Sequence, residues 1–252
     1  MPTDITKHAR EIEQNRTYWR KKSLLRKVYK RFYTEIEKRL IGGSKLELGS
    51  GIGQIKEFIP DCVTSDLFPN PGVDRLESAY LLSFPDGSLN NIILFDVWHH
   101  LEYPGAALSE IRRVLAPGGR AVIFDPAMGL IPRIIYGLFH HEPLGFGQPI
   151  HWQPPDDLDL KDAPYFAAQA RAWRIFYRNE DAGHLVNWNV LECAAWADFT
   201  YLSSGGFSKP SMYPAVFLPW LETLDRWLTW ISRPIFAGRM LIVLEKKQCR
   251  LY

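Results

Sequence analysis

Apolar and polar positions along this chain follow two periods, and the places where one gives way to the other outline its elements. Residues 8–40 contain no Pro or Gly, and Tyr18, Leu24, Leu25, Val28, Tyr29, Phe32, Ile36 and Leu40 recur at roughly helical spacing. This predicts one or two helices that stop at Gly42-Gly43 and cover one edge of the domain. Short apolar runs at 45–48, 62–67, 91–95 and 121–124 are bounded by turn residues and read as strands. Residues 106–115 are helical in period and end at the Pro117-Gly118-Gly119 turn. Strands alternating with helices predict an α/β fold, a doubly wound and mostly parallel sheet with right-handed crossovers.

After Asp125-Pro126 the pattern changes. Residues 127–190 are dense in His, Trp, Tyr, Phe and Pro without strand periodicity, which predicts an inserted lid. Regular periods return with a helix over 191–201, a turn at 203–206, a strand around 207–213, a helix over 218–231 and a strand over 239–245. A closing strand after a long helix suits an antiparallel edge on a parallel sheet. The 252 residues are expected to form one domain. Its parts are an N-terminal helical cap (1–43), a core (44–126), the lid (127–190) and C-terminal helices and strands (191–252).

Composition changes this picture in three places. Nine Trp, eleven Tyr and fourteen Phe are more aromatic residues than most soluble domains carry, and many fall in the predicted lid. There they pack the lid onto the domain or line a pocket for a sugar or apolar acceptor. Residues 1–41 hold 12 Lys and Arg against 5 Asp and Glu, so the net charge of +2 conceals a basic front end. That segment is a solvated face, or a surface for anionic headgroups or a phosphorylated substrate. Cys62, Cys193 and Cys249 are widely spaced, which suggests neither a disulfide framework nor a zinc site. No signal peptide and no apolar run long enough to span a bilayer can be drawn, so a cytoplasmic protein is expected, at most peripheral to the inner face of a membrane.

The chemistry starts where the first strand enters Glu47-Leu48-Gly49-Ser50-Gly51-Ile52-Gly53. Glycine permits tight turning and lets a ligand lie against bare peptide groups. A dinucleotide fingerprint needs a third glycine where Gln54 stands, so that class does not fit. The spacing E-x-G-x-G-x-G instead resembles motif I of the class I S-adenosylmethionine-dependent methyltransferases. Asp66, thirteen residues past Gly53, and the segments 84–88 (FPDGS), 92–101 (IILFDVWHHL) and 113–120 (RVLAPGGR) resemble the later landmarks of the type 11 branch.

The resemblance covers residues 44–126 closely and 191–247 loosely. It implies a seven-stranded Rossmann-like fold and S-adenosylmethionine as cofactor, with Glu47 on its ammonium, Gly49, Ser50, Gly51 and Gly53 along its amino-acid part, and Asp66 and Leu67 at its ribose. The resemblance also implies that Phe95 and Asp96, at the end of the 91–95 run, border the same site. The branch usually places an acid at the adenine; here Ser78 lines up, with Glu77 beside it, and Ala79 and Leu81 offer backbone and apolar contact.

A sulfonium methyl is already activated, so an acceptor hydroxyl needs alignment, exclusion of water and a base. His99 and His100 are candidates at the crevice end of a strand, with Asp96 near them; His140, His141, Glu142 and His151 are candidates in the lid. The paired histidines at 99–100 also suit a packing role. His140-His141-Glu142 suggests a metal site, but adjacent histidines point in different directions unless the backbone bends, so no metal is expected. Nothing in the sequence resembles an RNA-recognition or base-modifying motif, and no nucleic-acid partner is expected. The expected activity is methyl transfer to a small molecule, at oxygen, with a glycan, sugar-nucleotide or lipid-linked acceptor. The competing reading is an inactive scaffold of the same fold.

Overall fold

The computed structural model describes residues 5–140, 142–162 and 165–248. Seven strands form one sheet: β1 (Lys45–Leu48), β2 (Val63–Asp66), β3 (Arg75–Leu76), β4 (Leu89–Phe95), β5 (Leu115–Pro126), β6 (Trp188–Ala197) and β7 (Ala237–Lys246), in the order β3-β2-β1-β4-β5-β7-β6. The first five are mutually parallel, while β7 runs antiparallel to both β5 and β6. The helices are α1 (Ile5–Lys21), α2 (Ser23–Glu37), α3 (Pro104–Val114), α4 (Leu130–Phe139), α5 (Phe199–Ser204), α6 (Leu218–Ile231) and α7 (Arg233–Phe236).

Strand side chains alternate between faces, and both faces of this sheet are buried. Ile92 and Leu94 of β4, Ala121 and Ile123 of β5, and Ile242 and Leu244 of β7 enter one core with α3 and parts of the lid. Their neighbours Ile93, Phe95, Val122, Phe124, Leu241 and Val243 enter a second core under α2. Near-continuous apolar runs are what a sheet covered on both faces requires. The predicted stripe of α2 docks there, with Tyr29 and Tyr33 packed on Phe95 at ring separations of 5.2 and 5.1 Å. α1 crosses the tip of β2, where His8 lies 4.8 Å from Phe68.

Four expectations are corrected. Residues 191–197 are strand, not helix; they pair with β7 from Trp188 opposite Lys246 to Ala197 opposite Ala237, and only α5 is helical. Ala, Leu and Glu favour helix locally, but a free sheet edge outweighs that preference. Residues 207–213 are turns rather than strand: Gly205 and Gly206 take positive φ, and Lys209 N and Met212 N donate back to Gly205 O and Ser203 O. Pro117-Gly118-Gly119 does not precede β5 but lies inside it, as an irregularity between the Leu89–Leu115 and Asn91–Arg120 pairs. The lid begins with a ten-residue helix, α4, and the two-residue β3 was not foreseen.

Candidate active site

The glycine turn leaves β1 at the carboxyl ends of the parallel strands, where open α/β sheets bind ligands. Gly49, Gly51 and Gly53 have φ of 65°, 55° and 75°. A Cβ on Gly49 would lie 2.4 Å from Val97 Cγ2, and one on Gly53 would lie 2.0 Å from Gly72 O, so these two permit close packing. A Cβ on Gly51 would meet nothing within 4 Å. Its bare backbone is an open cradle. Asp66 fixes that backbone from the tip of β2: its carboxylate accepts hydrogen bonds from Gly51 N (3.0 Å) and Leu67 N (2.7 Å).

Glu47 is 1% exposed. Its Oε1 accepts a hydrogen bond from Tyr33 Oη at 3.0 Å, while Oε2 has no partner among the described residues. Burial pushes its carboxyl pKa up to about 7. An unpaired buried carboxylate oxygen is costly unless a ligand satisfies it. The cradle, the carboxylate at its rim and the orphaned acid behind it fit the glycine-bound amino-acid part, the ribose diol and the ammonium of S-adenosylmethionine.

Other expected contacts fall differently. Ser50 turns its hydroxyl inward, accepting from Ser65 N and donating to Glu47 O, so only its main chain borders the cradle. The Phe95 ring belongs to the aromatic core under α2 and does not border the cleft, because the pleat sends it to that face. Glu77 is occupied by Ser83 N (2.8 Å) and by Arg75 (3.2 Å). Ser78 is bridged to Leu81 across a tight turn, with the small Ala79 beside it. A cleft of about 670 Å³ opens there between Tyr80-Leu81 and the lid residues Gln153, Pro154 and Lys161. Asp96 has φ 56°, the left-handed region, and pairs with the buried Arg239 of β7. Asp96 is therefore held in an ion pair.

Beyond the cradle, β4, β5 and the lid bring a polar cluster together. His99 Nδ1 bonds Asp125 Oδ1 at 2.9 Å, and His100 Nδ1 bonds the Phe166 carbonyl at 3.0 Å. Glu142 reaches in from the lid: its oxygens lie 3.8 Å from His99 Nε2 and 3.9 Å from His100 Nε2, and it accepts bonds from Tyr165 Oη (2.7 Å) and Gln169 Nε2. The lid is fastened to the domain by Ala168 N donating to His99 O, and Ala170 N donating to Leu144 O ties two of its own segments together. Burial alone would lower the His99 pKa, but Asp125 outweighs it and the net shift is upward. Burial, with His99 beside it, lowers His100 to about 4. Burial raises the Glu142 pKa, yet the histidines and Tyr165 more than offset it and the net direction is down.

His140 borders this cluster, its Nδ1 accepting from Glu142 N at 3.2 Å, whereas His151 stands exposed outside it. His141 lies outside the described residues. Asp125, Tyr165, Gln169 and Arg239 were missed in the sequence; only Asp125 had a signal, an acid ending a strand as Asp66 does. Arg171, 1% exposed and stacked on Phe166 at 4.5 Å, leaves Nε and Nη1 unpartnered among the described residues.

Comparisons agree with this geometry. Residues 46–123 match a family model described as a methyltransferase domain, of type 11. A methyltransferase structure from Thermotoga maritima is 14% identical, covering 94% of this chain and 99% of its own, with a TM-score of 0.53. One from Archaeoglobus fulgidus is 16% identical over 88% and 94%, with a TM-score of 0.48. The YcgJ protein of Bacillus subtilis is 18% identical over 86% and 98%, with a TM-score of 0.46. At 14% identity the likeness to the Thermotoga structure shows the fold. No curated protein matches the chain. Residues 46–123 are a methyltransferase domain, set in a seven-stranded Rossmann-like sheet with an S-adenosylmethionine cradle at its carboxyl edge, so the chain carries S-adenosylmethionine-dependent methyltransferase activity.

Proposed function

We propose that the enzyme methylates a hydroxyl of a lipid-linked, anionic acceptor presented at a membrane surface. The observation that carries this is the placement of α4. It follows β5, whose penultimate residue is Asp125, and leads directly to His140 and Glu142, while Leu130, Ile134 and Leu138 form an exposed stripe at i, i+4 and i+8. α7 packs against both α4 and α6, and α6 is turned apolar side outward. Trp220, Trp227 and Trp230 are 77%, 58% and 82% exposed, with Leu224 and Ile231 beside them. Meanwhile Asp225 accepts from Phe199 N and Thr200 N, and Thr229 accepts from Ala197 N, so the polar side of α6 anchors it to the domain.

The exposed charges on these three helices are Arg133, Arg226 and Arg233; their acids, Glu222 and Asp225, are half-buried and buried. A Trp-rich apolar face with cations and no exposed acid complements an anionic bilayer. Arg171, a buried cation without a full set of partners, favours an acceptor carrying negative charge. α2 buries its own apolar stripe in the domain, so the basic front end contributes charge rather than an insertion face. Among the described residues no helix is long and apolar enough to cross a membrane.

S-adenosylmethionine supplies the methyl group on a sulfonium ready for in-line displacement. The chain holds that donor through Glu47, Gly51 and Asp66, excludes water with the lid, and faces the acceptor hydroxyl with the acceptor atoms of His99, His100 and Glu142, which favour loss of its proton. Co-sedimentation with phosphatidylglycerol and phosphatidylcholine vesicles tests the reading. Binding to the anionic vesicles, together with methyl transfer into a lipid extract and not into free sugar-nucleotides, is the expected result. Methylation confined to water-soluble acceptors, with no vesicle binding, would overturn it.

A further inference from the structure

We infer that His99, His100 and Glu142 form a binding site for one divalent transition-metal ion. Each imidazole has its Nδ1 engaged by an acceptor, Asp125 Oδ1 for His99 and the Phe166 carbonyl for His100. An acceptor at Nδ1 places the ring hydrogen there and leaves Nε2 as a lone pair. Both Nε2 atoms approach the same carboxylate, at 3.8 and 3.9 Å. These separations are too long for hydrogen bonds. They are the distances at which two ligands, each about 2.0–2.2 Å from an ion, face one another across it. The ligand atoms of all three residues lie within 4.8 Å of one another.

The surroundings have the character of a metal site's outer shell. Histidine ligands are oriented by a carboxylate or carbonyl on the far nitrogen, and ligating carboxylates are themselves hydrogen-bonded. Here Asp125 and the Phe166 carbonyl serve the first role, and Tyr165 and Gln169, which donate to Glu142, serve the second. Two imidazoles and one carboxylate suit zinc, iron(II), manganese or nickel, and three protein ligands leave positions open for a further oxygen ligand. The ligands come from the end of β4 and from the lid, so a bound ion would also fasten the lid. The site itself stands on geometry alone. Its use in catalysis rests on the function proposed above: the ion would hold the acceptor hydroxyl and acidify it, the proton leaving to bulk solvent as the acceptor binds and before the lid excludes water, rather than to an imidazole.

The test uses the full chain, stripped with a chelator and titrated with Zn²⁺ and Mn²⁺ by calorimetry, with Co²⁺ absorption as a report on imidazole ligation. One ion per chain is expected. His99→Ala, His100→Ala and Glu142→Gln should each weaken binding by at least about 100-fold, and Asp125→Asn by about 10–100-fold. Glu142→Gln keeps the shape of the side chain, and unchanged circular dichroism and S-adenosylmethionine affinity would show that each variant is folded. No saturable binding to the unaltered chain, or binding that all three ligand variants leave unchanged, overturns the site. Methyl transfer that survives exhaustive chelation in a chain that binds no metal removes the ion and leaves the proposed function standing. Metal binding in an enzyme that methylates only soluble acceptors does the reverse.

Discussion

Glu47 is a carboxyl group held without water and with one oxygen unmatched. Its pKa of about 7 lies above the ordinary 4.5, so the folded apoprotein keeps a proton that the unfolded chain releases. This group therefore contributes stability at low pH that is lost as pH rises from about 4.5 towards 7. Pairing with the cofactor ammonium requires the ionised form, so binding should release a proton. We expect S-adenosylmethionine affinity to be up to about tenfold weaker near pH 6 than near pH 8, with Glu47→Gln weaker overall and flat between them, as read by calorimetry. At Gly51 a side chain has space but an unfavourable φ, and it would fill the cradle. Gly51→Val and Asp66→Ala should each abolish measurable cofactor binding in a folded protein; unchanged affinity in both would remove the site assignment. These three residues were legible because glycine spacing and an acid at a strand tip are local signals. Ser50 and Phe95 were not, since which way a side chain faces depends on the sheet it enters.

At the scale of elements, α6 shows how a correct helix prediction can miss the helix's orientation. Its length was plain in the sequence, yet Asp225 and Thr229 are turned inward to the loop before α5, and the tryptophans are left in solvent. Replacing Trp220, Trp227 and Trp230 together with Ser should leave the unfolding midpoint nearly unchanged, because exposed side chains lose little on folding, while abolishing vesicle co-sedimentation. Asp225→Ala should act oppositely. Losing the acceptor for Phe199 N and Thr200 N destabilises by about 1–3 kcal/mol in urea unfolding. The segment 191–197 illustrates the same limit from another side: its composition favours helix, and only β7, more than forty residues later, supplies the edge that makes it a strand.

Over the whole molecule, Arg239 joins parts that are far apart in the chain. It is 2% exposed on β7, pairs with Asp96 at the end of β4, and lies 3.7 Å from Asp198, which also pairs with Arg31 of α2. Its guanidinium stacks on Tyr201 at 4.5 Å. Arg239→Ala would strand two acids, and a loss of about 3–5 kcal/mol is expected by urea unfolding. The sequence by itself determined the cofactor half: strand, glycine turn and ribose acid follow one another within about twenty residues, and local periodicity fixes them. The acceptor half was decided only by tertiary structure. His99 meets Asp125 twenty-six residues on, His100 meets Phe166 sixty-six residues on, and Glu142 enters between them from the lid. No periodicity relates such positions, because their meeting depends on how strands order in the sheet and on how an irregular lid closes over its edge.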